Sequence, residues 1–119
     1  MPVPRITPAE LQALLSAGGD EAPLVLDARL KYPYEHSTVR IPGSVRHQAG
    51  AALPAGRLVV VYDSDPDELA SSAVAATLIR QHQRASALAG GIAAWLAAGL
   101  PIEAKDAPRP AAPAASLKA

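Results

Sequence analysis

The most concentrated group of chemically active side chains in the sequence is a short acidic segment, DSDPDE, which follows the apolar run LVVVY. It places four carboxylates within six positions: Asp63, Asp65, Asp67 and Glu68. Carboxylate oxygens at this density are ligands that Ca²⁺ and Mg²⁺ prefer, but the segment has neither the glycine nor the distal glutamate of an EF-hand loop. Acidic residues are also common at the start of a helix, where they interact favourably with the helix dipole. We therefore expect no metal ion at this segment, and nothing else in the sequence indicates a cofactor.

Cysteine and histidine chemistry is restricted in this chain. The sequence contains no cysteine, which excludes disulfides, thiolate metal sites and cysteine nucleophiles. Its three histidines, His36, His47 and His82, are scattered without the spacing of a metal triad. We expect them to have surface or capping roles.

Length and charge narrow the class of protein further. A chain of 119 residues fits one domain. Eleven basic and eleven acidic residues give no net charge, so there is no broad basic face for nucleic acid or for an anionic membrane. No apolar run approaches the ~20 residues of a membrane span, and the first residues lack the apolar segment of a signal peptide. These features predict a soluble, cytoplasmic protein that binds neither nucleic acid nor membranes.

Hydrophobic patterns predict alternating helices and strands. Thr7 and Glu10 have the spacing of a capping box with Pro8 at the first helical position, so a helix begins there and ends at the Gly18-Gly19 pair. Strands are predicted at residues 24–26, 44–47, 57–62 and 85–88. Further helices are predicted at residues 69–81 and 92–98. This alternation is typical of an α/β fold whose mainly parallel sheet is covered by helices on both faces.

In residues 87–102, near the end of the chain, a predicted strand is followed by the Gly90-Gly91 pair, by Trp95 on a short predicted helix, and by the sequence GLP that begins at Gly99. This segment resembles the closing signature of rhodanese-like domains. Glycine in the left-handed region suits a strand-to-helix corner, and tryptophan supplies the largest apolar area in this phenylalanine-free core.

Two earlier segments fit the same family in the right order. The sequence LVLDAR at 24–29 resembles the family's strand that ends in Asp-x-Arg, and RIPGS at 40–44 resembles its His-Ile-x-Gly-Ala turn. The resemblance implies a rhodanese-like three-layer sandwich over residues 5–103. We expect residues 104–119, which are rich in Ala and Pro and have nothing to bury, to form a disordered tail.

The resemblance also indicates which residues form the functional loop. In rhodaneses the strand that corresponds to residues 58–62 delivers a cysteine into a loop whose backbone N–H groups surround the sulfur. Here that position holds Asp63, and a carboxylate oxygen cannot carry a persulfide. The active loop implied by the resemblance comprises Asp63, Ser64, Asp65, Pro66, Asp67, Glu68 and Leu69. The loop-supporting residues it implies are Asp27, Arg29 and Arg40.

Two hypotheses concern the interior of this loop. In the first, the Asp63 carboxylate itself accepts the loop N–H groups and closes the site to external anions. In the second, Arg40, which stands where the family often has histidine, pairs with the acidic loop.

For function we expect a catalytically inactive rhodanese-like module that binds a protein partner or a small ligand, neither of which the sequence identifies. The alternative is an enzyme with a non-cysteine active loop, either a sulfurtransferase with a thiosulfate-class donor or a phosphatase-like protein. The missing cysteine favours the inactive binding module. The acidic loop would repel phosphate, which argues against the phosphatase-like protein.

Overall fold

The computed structural model describes residues 3–19, 22–50, 52–54, 56–65 and 67–105. Its strands are β1 Arg5–Ile6, β2 Leu24–Asp27, β3 Val39–Arg40, β4 Val45–Arg46, β5 Val59–Tyr62, β6 Ala85–Leu88 and β7 Glu103–Ala104. Its helices are α1 Pro8–Ala17, α2 Lys31–His36, α3 Leu69–Arg80 and α4 Gly91–Ala97. Pro66 of the predicted loop and residues 106–119 of the predicted tail lie outside the described residues. Within the described part, no helix has the length and apolar character needed to cross a membrane.

Five strands form one parallel sheet in the order β1-β6-β5-β2-β4. Parallel strands require crossover connections. Helix α3 supplies the one between the neighbours β5 and β6, and α1 lies in the connection from β1 to β2, which are not neighbours in the sheet. Strands β3 and β7 form a separate antiparallel pair. The structure confirms the predicted α/β fold with a mainly parallel sheet.

The two faces of the central strand β5 contribute to two separate cores. Val60 and Tyr62 pack in one cluster with Leu11 of α1 and Trp95 of α4. The other two β5 side chains pack on the opposite face in a cluster that includes residues of α3. All four are fully buried, because successive strand residues point to opposite faces and helices cover both faces. The result is the predicted three-layer arrangement.

Helix α1 confirms the predicted capping box. The Glu10 N–H donates to Thr7 Oγ1 at 3.1 Å, and the Thr7 N–H donates to Glu10 Oε1 at 2.9 Å. The reciprocal pair satisfies two N–H groups that the first turn leaves without helical partners.

Several short elements were not predicted from the sequence. Strands β1, β3 and β7 have two residues each, which is too short for a hydrophobic period to show. Helix α2 contains Pro33 at its third position, where the missing N–H removes no helical hydrogen bond because first-turn N–H groups have no partner within the helix.

Strand β7 determines where the described fold ends. Ala104 pairs with Val39 of β3, and the Lys105 N–H donates to the Thr38 carbonyl at 2.9 Å. The sequence analysis placed both residues in the tail. They belong to the fold instead, because their partners lie far earlier in the chain, where no local pattern can indicate them.

Candidate functional site at the end of β5

The candidate site lies at the carboxyl edge of the parallel sheet. Strand β2 ends at Asp27 and strand β5 ends at Tyr62, and these two residues are in register. Ligand sites of open α/β sheets form outside this edge, because the loops that follow parallel strands converge there. The predicted loop, which begins at Asp63, therefore stands beside the end of β2.

The Asp63 carboxylate accepts backbone hydrogen bonds from its own loop and from α3. Its Oδ2 accepts the Ser71 N–H at 2.6 Å, and its Oδ1 accepts the Asp65 N–H at 3.1 Å. Asp63 is only 1% exposed. Hydrogen bonds from N–H groups to an ionised acceptor are stronger than neutral ones, and the first turn of a helix favours negative charge. The carboxylate thus occupies the position among these N–H groups that an external anion would need.

The corner between β6 and α4 packs directly against Asp63. The Ile92 N–H donates to the Asp63 carbonyl at 2.9 Å. Gly91 has φ +64°, and a Cβ atom built on it would lie 2.4 Å from the Asp63 carbonyl oxygen. Only glycine permits this approach, so the Gly-Gly corner that the sequence signature contains holds the backbone of the loop in place.

Glu68 ties the end of the loop to β1. Arg5 donates from Nε to Glu68 Oε1 at 2.8 Å and from Nη2 to Oε2 at 2.6 Å, and the Gly90 N–H donates to Oε2 at 3.0 Å. Glu68 is buried and lies in the left-handed region with φ 59° at the start of α3. The hydrogen bonds and charge of Arg5 lower the pKa of Glu68, while its burial acts in the opposite direction. The sequence assigned Glu68 to the loop but gave no sign of Arg5 as its partner.

The remaining acidic residues form a turn between Asp63 and α3. Asp65 Oδ1 accepts the Asp67 N–H at 2.8 Å, and the Asp65 carbonyl accepts the Glu68 N–H at 2.9 Å. No three histidine or carboxylate side chains among the described residues are arranged to hold a metal ion. The carboxylates of Asp63, Asp65 and Glu68 each accept hydrogen bonds from different partners.

Asp27 and Arg29 form a buried ion pair at the end of β2. Arg29 Nη2 donates to Asp27 Oδ2 at 2.6 Å, and Arg29 Nε lies 3.0 and 3.1 Å from Oδ1 and Oδ2. The Tyr62 hydroxyl also donates to Asp27 Oδ2, at 3.0 Å. Burial alone would lower the pKa of Arg29, but the hydrogen bonds and charge of Asp27 raise it. The pKa of Tyr62 is raised by burial and by the charge of Asp27, so the hydroxyl stays protonated and can donate.

The structure gives Arg40 a different partner from the predicted acidic loop. Arg40 forms an ion pair with Glu103 of β7, and Glu103 Oε2 also accepts the Gly43 N–H at 3.3 Å. The pair follows from the register of the small antiparallel sheet, in which Arg40 stands opposite Glu103. This ion pair fastens β3 to β7, and the pairing of Arg40 with the acidic loop stays a hypothesis.

The sequence model of the rhodanese-like domain matches residues 7–98 of the chain. The chain belongs to the rhodanese-like domain family. No match was found among the curated proteins.

Solved structures show the same fold for this rhodanese-like domain. A protein from Bacillus halodurans has a TM-score of 0.71 at 19% identity, over 88% of this chain and 82% of that one. A protein from Rhodopseudomonas palustris, described as a possible tyrosine phosphatase, has a TM-score of 0.64 at 26% identity and covers 85% of both chains. A thiosulfate sulfurtransferase from Pseudomonas aeruginosa has a TM-score of 0.65 at 28% identity, over 85% of this chain but only 19% of that one.

An apolar pocket of about 540 Å³ opens beside the loop of the rhodanese-like domain. Its lining consists of Leu30, Pro33, Asp63, Ser64, Asp65, Leu69 and Ala70. Leu30 and Leu69 flank it and are 66% and 70% exposed. Apolar side chains this exposed are notable next to a concave surface, because such surfaces bind ligands and partners. Sequence reasoning identified Leu69 as a loop residue but missed Leu30, which precedes α2, and Pro33, the third residue of α2.

Proposed function

We propose that this rhodanese-like chain is a binding module that lacks sulfurtransferase activity. Asp63 takes the position at which the family carries its cysteine, and its carboxylate fills the loop. The observation that carries the proposal is the pair of hydrogen bonds from the Ser71 and Asp65 N–H groups to Asp63. These two N–H groups are therefore already occupied and are not free to stabilise a thiolate or to bind an oxyanion substrate such as thiosulfate.

The chemistry of sulfur transfer supports the same proposal. A thiolate attacks the outer sulfur of thiosulfate, the S–S bond breaks, and sulfite leaves with the electron pair, so that the protein holds a persulfide. An aspartate oxygen cannot form this species, and the chain has no cysteine to replace it.

The binding surface we propose is the apolar pocket beside the loop. Leu30 and Leu69 form exposed apolar flanks, and none of the described residues that line the pocket is basic. A protein partner that inserts an apolar side chain would bury both leucines at a gain of roughly 25 cal/mol per Å² of apolar surface. A small uncharged ligand is the other occupant that this surface accommodates.

A thiosulfate and cyanide assay tests the catalytic half of the proposal. We expect thiocyanate from the wild-type protein to equal the buffer blank. Asp63→Cys should gain one sulfur atom in intact mass after thiosulfate treatment, because the N–H groups that now hold the carboxylate would stabilise a thiolate. The matched control is Asp67→Cys, which places a thiol on the exposed part of the loop. Thiocyanate well above the blank from the wild-type protein would contradict the proposal.

Affinity purification from a lysate tests the binding half. Proteins retained by the wild-type chain should be lost with Leu69→Asp at the pocket. They should remain with Leu96→Asp, since Leu96 is an exposed leucine of α4 that does not line the pocket. Equal retention by the two variants would assign the partner to another surface.

The phosphatase-like alternative is suggested by one structural neighbour, the Rhodopseudomonas palustris protein described as a possible tyrosine phosphatase. Phosphoryl transfer needs donors or cations to stabilise the charge on the phosphate oxygens. The lining of the pocket supplies two aspartates instead. Hydrolysis of p-nitrophenyl phosphate above the blank, abolished by Asp63→Asn, would favour this alternative.

A further inference from the structure

The pocket beside the loop combines apolar walls with negative charge. Leu30 and Leu69 flank it, and both side chains are largely exposed. Two of its described lining residues, Asp63 and Asp65, are acidic, and none of them is basic. A site of this composition favours an occupant that is apolar along most of its length and positively charged at one end.

The two acidic residues of the lining are engaged differently. Asp63 is buried, and its two carboxylate oxygens accept N–H groups of the loop and of α3, which offset its charge. Asp65 is only partly buried. Its Oδ1 accepts the Asp67 N–H at 2.8 Å, and its Oδ2 has no hydrogen-bond partner among the described residues. Asp65 is therefore the carboxylate of the lining that an external cation can reach.

The loop carries more negative charge than nearby cations compensate. Glu68 forms an ion pair with Arg5, but no ion pair is found for Asp65 or Asp67 within the described part of the chain. Asp67 is exposed and follows Asp65 by two positions. Charges of the same sign this close together reinforce the potential at short range, within the Debye length of about 10 Å at 0.1 M salt. The loop side of the pocket is therefore negative.

The α2 side of the pocket does not offset this charge. Two basic residues adjoin Leu30 in the chain. Arg29 is buried and paired with Asp27. Lys31 is exposed and is not among the described residues that line the pocket. A cation brought by a partner is therefore favoured electrostatically at Asp65.

The apolar flanks determine which cation suits the pocket. A lysine side chain has a four-carbon stem that packs along apolar surface while its ammonium stays at a polar edge. The planar fork of arginine is suited to two carboxylate oxygens at once, but Oδ1 of Asp65 already accepts the Asp67 N–H. An ammonium group needs only one acceptor oxygen, so lysine is the better match.

We infer that the pocket beside the loop binds a lysine side chain of a partner protein, with the stem of the lysine against Leu30 and Leu69 and its ammonium at the Asp65 carboxylate. This inference rests on the proposed function, because it names the chemistry of the partner that the same pocket binds. It goes further because a purely apolar side chain would cover the two leucines without any need for Asp65.

The test uses two acetylated and amidated pentapeptides that differ at one position. One has lysine at its centre between two leucines, and the other has norleucine there, which keeps an aliphatic stem and lacks the charge. Each is titrated into ¹⁵N-labelled full-length protein while the amides of the pocket are followed. We expect the lysine peptide to bind about two- to five-fold more tightly, the effect of one partly exposed ion pair. This advantage should disappear at 1 M salt, where the Debye length falls to about 3 Å.

The order of the two affinities separates this inference from the proposed function. A purely apolar pocket would prefer norleucine, because burying lysine also removes water from a charged group. If the norleucine peptide binds as tightly as the lysine peptide or more tightly, the inference is wrong and the pocket remains an apolar binding site. Absence of saturable shifts from both peptides would also overturn the inference, whereas the proposed function is tested separately by the thiocyanate assay and the lysate comparison.

A variant of Asp65 tests where the ammonium binds. Asp65→Asn keeps the oxygen that accepts the Asp67 N–H and removes the negative charge, so the lysine peptide should bind about two- to five-fold more weakly. Glu35→Gln is the matched control, since it makes the same change in net charge at an exposed residue outside the described lining. Affinity for the norleucine peptide should be unchanged in both variants. Equal weakening of the lysine peptide in the two variants, or none in Asp65→Asn, would overturn the inference.

Discussion

The Asp63 carboxylate accepts a 2.6 Å hydrogen bond from the backbone N–H of Ser71, in the first turn of α3. This bond joins the residue that follows β5 to the helix that follows the loop. It makes a buried acidic side chain part of the structure of the loop, because the N–H groups of a first helical turn have no partners within the helix.

Replacing Asp63 should therefore destabilise the protein. We expect Asp63→Ala to lower the free energy of unfolding by about 1–3 kcal/mol, since it leaves buried N–H groups unsatisfied. The Ser71 amide should lose protection from hydrogen exchange at the same time. Urea unfolding and exchange measurements check both effects. Asp67→Ala serves as the control because Asp67 is exposed, and an equal loss in the two variants would contradict this role of Asp63.

Gly91→Ala should be more harmful than an alanine at another glycine with positive φ. Its Cβ would lie 2.4 Å from the Asp63 carbonyl oxygen, whereas a Cβ on Gly43, with φ +76°, meets no atom within 4 Å. Gly43→Ala should cost about 1–2 kcal/mol from backbone strain alone. Gly91→Ala should cost this amount plus the free energy needed to displace the loop. The denaturation midpoints of the two variants measure the difference. Equal midpoints for the two variants would show that the Gly91 corner accommodates a Cβ atom at no additional cost in free energy.

The Asp27–Arg29 pair should show strong coupling. Arg29→Met removes the closest partner of a buried carboxylate, and we expect a loss of about 3–5 kcal/mol in the free energy of unfolding. The double variant with Asp27→Asn should recover part of that loss, because it removes the uncompensated charge. A double-mutant cycle by urea unfolding measures the coupling. Additive losses would mean that the two side chains act independently.

Glu68 should make stability dependent on pH in the acid range. Its pKa in the folded protein is lowered from the ordinary value of 4.5, chiefly by the hydrogen bonds of Arg5. The unfolded state therefore binds more protons in that range, so the stabilisation is present above pH 4.5 and is lost as the pH falls through the lowered pKa. Glu68→Gln and Arg5→Met should both flatten the decline in urea midpoint between pH 6 and pH 3. A decline as steep as that of the wild type in both variants would rule out this pair as its source.

Local sequence patterns sufficed for the long elements and for the family. Strand β5 and helix α3 follow from the apolar run and the alanine-rich period, and the capping box of Thr7 and Glu10 fixes the start of α1. The glycine pair and Trp95 indicated the rhodanese-like fold because they form a short, continuous signature. These features depend on residues close together in the chain, so the sequence alone determines them.

Only the tertiary structure decided the partners of the charged side chains. Arg5 meets Glu68 across 63 positions, and Arg40 meets Glu103 across the same separation. The pocket flanked by Leu30 and Leu69 likewise arises where the residues around the start of α2 lie next to the loop and the first turn of α3. An ion pair or a pocket depends on how segments that are distant in the chain pack together. The sequence around a residue does not specify which distant segment will pack against that residue.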